Sequence, residues 1–575
     1  MRPSNAIAAI LLLLTVIPTP SAYAESPASP VLIYGVHPGG ACDWEHVLIG
    51  NPGDAPVDVS GWFLSDDEGF MTIPEGTLLS PGERVWVGVN STAFRVLWGR
   101  DLDVIGDRVG GFGLADRGDG LLLMDGDAEV VDQVAYGSPG GDAPEGWSGR
   151  PVRTSTTMPW GRLLLRSAGG DTDTAADWDD LREPRCGWDL EGRAPNAVSA
   201  NATCFVTPEE GWRVMAGTIM AARSDLAIAL YDLTSMDLTS LVARKAREGV
   251  RTRLLLEASP VGLTEDERER RKALLSTLEA DGVEVWLTRS TVKGESHRPY
   301  RYHHEKYCVI DGRRVVITTE NWCISSFPQR PLAEHGSRGW GALVRSQTLA
   351  RDLLDVFERD LVVSAHPFEP TDGYPLDLPS LPAPAHAKPT PLPCEAMIMV
   401  GPEAWGHDLE GLLGLLDGAR KSMLLELAYL DVWWGETLSP VVERLLLAAS
   451  RGVDVRLLLD PGQDGDGRST LEEVHVLAAS RGVTNLRGVV AKDITGVGRV
   501  HAKGLVIDGE TSVLGSLNWA WSSMARNREV LVVIQGPDAV RVLADAFWSD
   551  WNASIAGVPP APPRHMLLEA ALRWE

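Results

Sequence analysis

The sequence predicts an α/β protein of two related lobes that follow an antiparallel β-sandwich. From about residue 204 onward, apolar strand-like runs alternate with amphipathic helical segments, and the second half repeats the order of the first. Before that point, short alternating segments are separated by turns rich in glycine, proline, asparagine and aspartate, roughly every 8 to 15 residues. The chain of 575 residues is too long for a single core, so several domains are expected.

Residues 1–24 have the features of a secretory signal peptide. Arg2 gives a positive start, residues 6–17 are apolar, and residues 22–24 form a small-x-small cleavage site. The apolar stretch is too short for a spanning helix, and no later run approaches the roughly 18 residues that a span needs. We therefore expect a secreted, extracellular protein, with a retained N-terminal anchor as the alternative.

Charge and cysteine content set further limits. The formal net charge of -26 favours solubility and argues against general adhesion to polyanions, although it leaves room for a local basic site. An even number of cysteines in an exported chain permits disulfides. Because the partners occupy comparable places at domain edges, we expect two bonds. The expected pairs are Cys42 with Cys186 and Cys204 with Cys394.

The β-sandwich is predicted over residues 28–190. Its phrases EHVLIGNPGDAPVDVSGWFLSD, IPEGTLLSPGERVWV and DGLLLMDGDAEVVDQVAYG resemble the lamin-tail domain, an immunoglobulin-like module. That resemblance implies a binding or spacing role, such as contact with a cell surface. We find no catalytic constellation in this region.

The two α/β lobes are predicted at residues 204–365 and 394–555. Their duplication is visible in KAREGVRTRLLLE and ASRGVDVRLLLD, which lie at matching places in the two halves. Residues 366–393 are proline-rich and read as an extended connector. Residues 556–575 form a C-terminal tail.

One motif occurs in each lobe, as HEKYCVIDGRRVVITTENW and as HAKGLVIDGETSVLGSLNWAW. In each copy, histidine and lysine are two residues apart at the start of an apolar strand, so both side chains point to the same face. Asp-Gly follows as a tight hairpin turn, and Asn-Trp follows the next apolar strand. The paired positions are His304 and His501, Lys306 and Lys503, Asp311 and Asp508, and Asn321 and Asn518.

Two such motifs suit displacement at phosphorus, which needs a nucleophile and a leaving-group acid on opposite sides of the atom. If the lobes pack face to face about a pseudo-twofold axis, each lobe supplies one imidazole. Lys306 and Lys503 would bind the non-bridging oxygens. One histidine would carry the phosphoryl group, while the other protonates the departing alcohol and then activates water or a second alcohol. This chemistry requires no metal or other cofactor, and we find no convincing metal-ligand cluster.

The duplicated HxKxxxxD pattern resembles the phospholipase D superfamily, over residues 204–551. The resemblance implies that His304 is the nucleophile and His501 the general acid. It also implies that both lysines and both asparagines surround the phosphate. Asp311 and Asp508 would support the site through the histidines, with a plain hairpin turn as the alternative.

The two copies differ in the residues that follow the motif. The second has Gly515-Ser516 and, in ARNREV, Glu529, which are typical of the family. The first has Thr318-Thr319 instead, and SRGWGALV offers no matching glutamate. Because Thr319 can still donate a hydroxyl, we expect activity to survive. The predicted substrate-binding residues are Thr319, Asn321, Ser516, Asn518 and Glu529.

Three functions remain open. The first is a phosphodiesterase of phospholipase D type, which hydrolyses or transfers a phosphatidyl group. The second is an extracellular nuclease, in which a basic run grips the backbone and Tyr300 and Tyr302 stack bases. The third is a non-catalytic cell-surface binding protein. Trp433-Trp434 could serve a lipid interface, a base or the core. The basic run is Arg289, Lys293, His297, Arg298, Arg301, Arg313 and Arg314.

Overall fold

The computed structural model separates the chain into two compact units, residues 1–189 with 291–299 and residues 190–290 with 300–575. The described residues are 31–38, 43–138, 143–153, 162–167, 171–178, 196–288, 299–330, 335–370, 376–381, 390–402, 409–462 and 466–556. The predicted signal peptide, the Cys42–Cys186 pair and residues 557–575 of the tail lie outside them. Among the described residues, no helix is both long and apolar enough to cross a membrane.

The first unit confirms the predicted β-sandwich. Two five-stranded sheets share one apolar core, because alternate strand residues such as Leu121 and Leu123 turn inward. One sheet contains Leu164–Leu165, Leu32–His37, His46–Gly50, Arg84–Gly88 and Val104–Ile105. The other contains Val130–Gly137, Gly118–Met124, Phe63–Ser65, Gly69–Thr72 and Asp107–Gly110. The unit also contains three smaller elements. They are a two-stranded ribbon of Val57–Asp58 and Leu78–Leu79, the helix Ser91–Trp98 and the 3₁₀ helix Ala175–Asp177.

The second unit contains both α/β lobes on one mixed sheet of sixteen strands within the described residues. From its edge inward, the first lobe contributes Ala365–Pro367, Val283–Thr288, Arg251–Leu256, Asp225–Leu230, Lys306–Ile310, Arg314–Thr318, Gly336–Arg345 and Val198–Thr207. The second lobe continues with Leu392–Gly401, Glu529–Gln535, Thr511–Gly515, Lys503–Ile507, Ser422–Leu427, Asp454–Leu459 and Leu486–Val490. Val497–Val500 pairs with Gly336–Arg345, and Trp433–Trp434 forms a separate ribbon with Thr437–Leu438.

The helices follow the duplicated order that the sequence predicts. Those of the first lobe are Gly211–Met220, Met236–Arg247, Glu265–Ala280 and Gln347–Ser364. Those of the second are Leu409–Gly418, Pro440–Ser450, Gly467–Ser480, Trp521–Arg526 and Pro537–Ile555. The matching segments KAREGVRTRLLLE and ASRGVDVRLLLD form the same helix-to-strand turn in both lobes. Gly249 and Gly452, with φ of 86° and 100°, follow the end of a helix and lead the chain into a parallel strand.

The lobes meet in the middle of the sheet, where Val198–Thr207 pairs antiparallel with Leu392–Gly401. Ala200 stands opposite Cys394, so Cys204 lies four residues out of register with Cys394. The predicted Cys204–Cys394 disulfide is therefore wrong, and both thiols are free and buried.

A shared core joins the lobes on the inner side of this sheet. One apolar cluster contains residues from both lobes, among them Phe357 and Phe547 on the long final helix of each lobe, and Trp340. The described part of the connector packs on the first lobe. There Leu376 contacts the core, and Pro379 accepts a hydrogen bond from Ser240 Oγ at 2.5 Å.

Candidate active site

The two motif strands place both histidine–lysine pairs in one buried region. Lys306 Nζ donates to the main-chain oxygen of His304 at 2.6 Å, and Lys503 Nζ donates to that of His501 at 2.7 Å. Both lysines are 1% exposed, and the histidines are 9% and 7% exposed. Each lysine is therefore held against the histidine of its own lobe.

Each imidazole faces a carboxylate from the opposite lobe. His304 Nδ1 lies 3.0 Å from both carboxylate oxygens of Glu529, and His501 Nδ1 lies 3.5 Å from Glu320 Oε2. A carboxylate beside Nδ1 favours the proton on that nitrogen and leaves the Nε2 lone pair available. The sequence predicts Glu529, but it does not predict Glu320.

Main-chain bonds also cross between the lobes at each histidine. The N–H of His304 donates to Arg528 O at 2.9 Å, and the N–H of His501 donates to Arg338 O at 2.8 Å. The arginine side chains reach acids on the final helices. Arg528 lies 2.9 Å from Asp360, and Arg338 lies 2.6 Å from Asp550. These two crossed pairs fix both histidine segments against the opposite lobe.

Burial and mutual charge set the electrostatics of the site. Burial lowers the pKa of His304, Glu529 opposes this effect, and Lys306 and Lys503 add to it. Burial lowers the pKa of Lys306 well below its usual value, and Glu529 again opposes the shift. Lys503 of the second lobe thus lowers the pKa of both groups of the first lobe.

The second imidazole is coupled to Glu320. Burial lowers the pKa of His501 to about 3, and the Lys503 charge acts in the same direction, while Glu320 raises it. Burial would raise the pKa of Glu320, but His501, Lys503 and the Ser326 hydroxyl together lower it to about 2. These shifts favour an anionic Glu320 beside a neutral His501 imidazole.

The predicted substrate-binding side chains lie at the ends of the next strands. Asn321 and Asn518 each have a buried Oδ1 without a hydrogen-bond partner among the described residues. Thr319 Oγ1 accepts from the N–H of Trp340 at 3.0 Å, and Ser516 Oγ accepts from the N–H of Val530 at 2.9 Å. Thr319 thus makes the same kind of strand contact as Ser516, despite the different side chain.

Asp311 and Asp508 lie at the far ends of the motif strands, so the prediction that they support the histidines is wrong. Their φ values of 53° and 55°, followed by positive φ at Gly312 and Gly509, form the alternative hairpin turn. The Asp311 carboxylate accepts from the N–H groups of residues 223–225, and Asp508 does so from residues 420–422. Both aspartates therefore anchor a loop to the turn.

His303 makes its hydrogen bonds to residues other than the two histidine–lysine pairs. Its Nε2 lies 2.8 Å from Ser364 Oγ, and its N–H donates to Glu257 Oε2 at 2.9 Å. Tyr300, predicted to stack on a base, is 2% exposed and lies under Arg528, whose guanidinium carbon is 4.8 Å from the ring centroid. Its predicted stacking role is therefore wrong.

Only part of the predicted basic run lies near the histidines in the described residues. Arg313 and Arg314 are at the hairpin turn, and residues 289–298 are not among the described residues. Arg301 stacks on Tyr302 at 5.5 Å, and its N–H donates to Arg526 O at 2.7 Å. Of the described members of the run, Arg301 precedes the strand Lys306–Ile310, and Arg313 and Arg314 follow it.

An aromatic wall flanks His304. The Tyr231 ring lies 5.0 Å from the His304 ring, and the Tyr302 ring lies 6.2 Å from that of Tyr231. Of the two consecutive tryptophans that the sequence singles out, Trp434 is in the apolar core of the second lobe, whereas Trp433 is 47% exposed. The site thus has an aromatic side that sequence reasoning anticipated only at Tyr302.

Both parts of the chain match the models of known families. The family model described as "Cardiolipin synthase, PLD-like domain" matches residues 215–361 and 412–551, and the Lamin Tail Domain model matches residues 24–138. Phospholipase D Z of Dictyostelium discoideum is 26% identical over 157 residues, which are 26% of this chain and 36% of that protein. Cardiolipin synthase of Listeria monocytogenes is 28% identical over 160 residues, which are 27% of this chain and 30% of that protein.

These matches span about a third of the length of the curated relatives. Among solved structures, phosphatidylserine synthase of Haemophilus influenzae aligns with a TM-score of 0.47 at 12% identity, over 66% of this chain and 95% of that one.

Proposed function

The chain belongs to the phospholipase D superfamily, and we propose that it is a secreted phosphodiesterase that hydrolyses or transfers a phosphatidyl group through a phosphohistidine intermediate. One observation carries the proposal: two imidazoles, each oriented by a carboxylate of the opposite lobe, share a buried site with two lysines. Such a pair suits in-line transfer at phosphorus.

In the first step, His304 Nε2 attacks the phosphorus of the diester. The P–N bond forms as the P–O bond to the leaving alcohol breaks, and His501 gives its Nε2 proton to that alkoxide. The bound phosphate brings a negative charge between the imidazoles, which raises the lowered pKa of His501. Lys306 and Lys503 stabilise the charge on the non-bridging oxygens.

In the second step, His501 takes a proton from water or from a second alcohol. The new oxygen attacks phosphorus, and the P–N bond to His304 breaks. Water gives hydrolysis and an alcohol gives transfer, so one site supports both reactions. The two lysines and the protonated imidazole supply the positive charge, and we propose that no metal is needed.

The complete histidine–lysine–carboxylate set in both lobes supports an enzyme over a non-catalytic binding protein. A nuclease remains the second candidate because of the site's rim. There Arg301 stacks on Tyr302 and Arg526 stacks on Trp521 at 5.3 Å, on two segments joined by a main-chain hydrogen bond. Arginine beside aromatic rings is a combination that single-stranded nucleic acid uses.

The test compares two substrates with the same purified protein. Vesicles of mixed phospholipids are assayed for headgroup release, and labelled single-stranded DNA is assayed for cleavage, each with His304→Asn as the inactive control. Headgroup release that the control lacks supports the leading proposal. DNA cleavage without headgroup release supports the nuclease, and neither activity would count against both.

Secretion is also a proposal, supported by the signal-like features of residues 1–24. N-terminal sequencing of protein from a culture supernatant should begin at Glu25. Full-length protein retained in the cell would contradict it. Contact of the lamin-tail unit with a cell surface is the proposed role of that unit.

A further inference from the structure

The carboxylates that face the two histidines come from different places in the two lobes. Glu529 lies two residues before Leu531, which pairs with Gly515 on the neighbouring strand. In the first lobe, the equivalent pair is Thr318 with Gly341. Gly339 therefore occupies the position of Glu529, and Glu320 occupies the position that Leu517 holds in the second lobe.

Gly339 and Glu320 compete for one space. A Cβ added at Gly339 would lie 2.3 Å from Cγ and 2.3 Å from Oε1 of Glu320, a distance that real Cβ contacts do not show. Glu320 is 1% exposed, so its side chain cannot move out to water without losing its packing. The space that a residue-339 side chain would need is thus filled by Glu320.

The Glu320 carboxylate is held toward His501 by groups of its own lobe. Its Oε2 accepts hydrogen bonds from Ser326 Oγ at 2.5 Å and Ser337 Oγ at 3.0 Å, and it lies 3.5 Å from His501 Nδ1. In the second lobe, the matching residue Leu517 is buried in the apolar core. A carboxylate at position 320 therefore has its own polar environment.

We propose that Glu320 is the positioning residue for His501. The first lobe thus carries this carboxylate at position 320 instead of at the strand position of Gly339, and the absence of a side chain at Gly339 leaves the space that Glu320 occupies. This inference rests on the proposed function of the site. It explains how the first lobe completes the site without a glutamate in SRGWGALV.

The same geometry gives the two histidines different surroundings. Glu529 brackets His304 Nδ1 with both oxygens at 3.0 Å, whereas Glu320 approaches His501 with one oxygen that two hydroxyls share. The more tightly oriented His304 suits the nucleophile. His501, beside a carboxylate already occupied by hydroxyls, suits the group that gives and then regains a proton.

The experiment exchanges the two positions in the full chain and measures diester turnover, its pH profile and thermal unfolding. Glu320→Leu should lower kcat by about 100-fold, as loss of an orienting partner typically does. Gly339→Glu alone should lower both kcat and the unfolding temperature, because two side chains then occupy one space. The double variant E320L/G339E should recover the unfolding temperature and restore kcat to within about 10-fold of wild type.

A charge-only variant separates positioning from packing. Glu320→Gln keeps the shape but removes the charge that raises the pKa of His501, so the alkaline limb of the kcat profile, which reports the substrate complex, should move to lower pH. An unmoved limb, or a double variant no better than the worse single variant, would overturn the proposal. If the wild type turned over no diester while the double variant still recovered its unfolding temperature, the proposed function would fail and the steric exchange would stand.

Discussion

Replacing Arg528 with methionine should destabilise the catalytic unit strongly. The guanidinium is 0% exposed and lies 2.9 Å from Asp360, 3.6 Å from Glu305, and over the ring of Tyr300. Its removal takes the guanidinium away from two fully buried carboxylates. Breaking a buried ion pair from one side costs about 3–5 kcal/mol, a large part of the roughly 5–15 kcal/mol that holds a domain folded.

The free energy of unfolding that Arg528→Met loses should be larger at high pH than at low pH. Burial raises the pKa of Glu305, and the Asp360 charge raises it further. A carboxyl whose pKa is higher in the folded state binds protons preferentially in that state. The cost of burying its charge therefore shrinks as the pH falls toward the pKa of the same group in the unfolded chain. The deficit of Arg528→Met should therefore be larger at about pH 8 than at about pH 5.

Urea unfolding of both proteins, followed by circular dichroism at the two pH values, measures this difference. Arg541→Met is the matched control, because Arg541 forms an ion pair with Asp538 in which both side chains are more than half exposed. Its stability should hardly change. An Arg528→Met deficit below about 1 kcal/mol, or one that grows as the pH falls, would refute the reasoning.

Three further predictions concern the site. Either His304→Asn or His501→Asn should lower turnover by at least about 1000-fold with an unchanged circular dichroism spectrum, and an active variant would contradict the two-histidine scheme. Prolonged dialysis against EDTA should leave turnover unchanged, whereas a loss that zinc or magnesium restores would indicate different chemistry. Asp311→Ala should lower the free energy of unfolding by about 1–3 kcal/mol, because it removes the acceptor of three main-chain N–H groups. Its kcat should stay near that of the wild type. A large fall in kcat in a well-folded variant would contradict the purely structural role of Asp311.

The duplicated pattern predicted the two lobes and both histidine–lysine pairs, because each lysine begins an apolar strand and its histidine lies two residues before it. The same pattern could not assign Asp311. A fixed spacing from His304 is compatible with the near or the far end of the strand, and only the strand's length in the structure separates them.

The sequence analysis does not predict the long-range partners. Asp360 and Arg528 are separated by 168 residues, and no local pattern joins them. The matching phrases FERD and FWSD, which end in Asp360 and Asp550, are a signal that could have found the crossed pairs. The sequence pattern does not predict Glu320, because the position that matches Glu529 is Gly339 and the carboxylate reaches the site from another strand end.

The most direct measurement is the site of the phosphoenzyme. Wild type, His501→Asn and His304→Asn are incubated with a diester carrying a good leaving group and labelled on the retained side, quenched in alkali and mapped by peptide mass spectrometry. We expect a phosphohistidine adduct at His304 in wild type and in His501→Asn, and none in His304→Asn. An adduct that persists in His304→Asn, or turnover without any adduct, would contradict transfer between two imidazoles at one phosphorus.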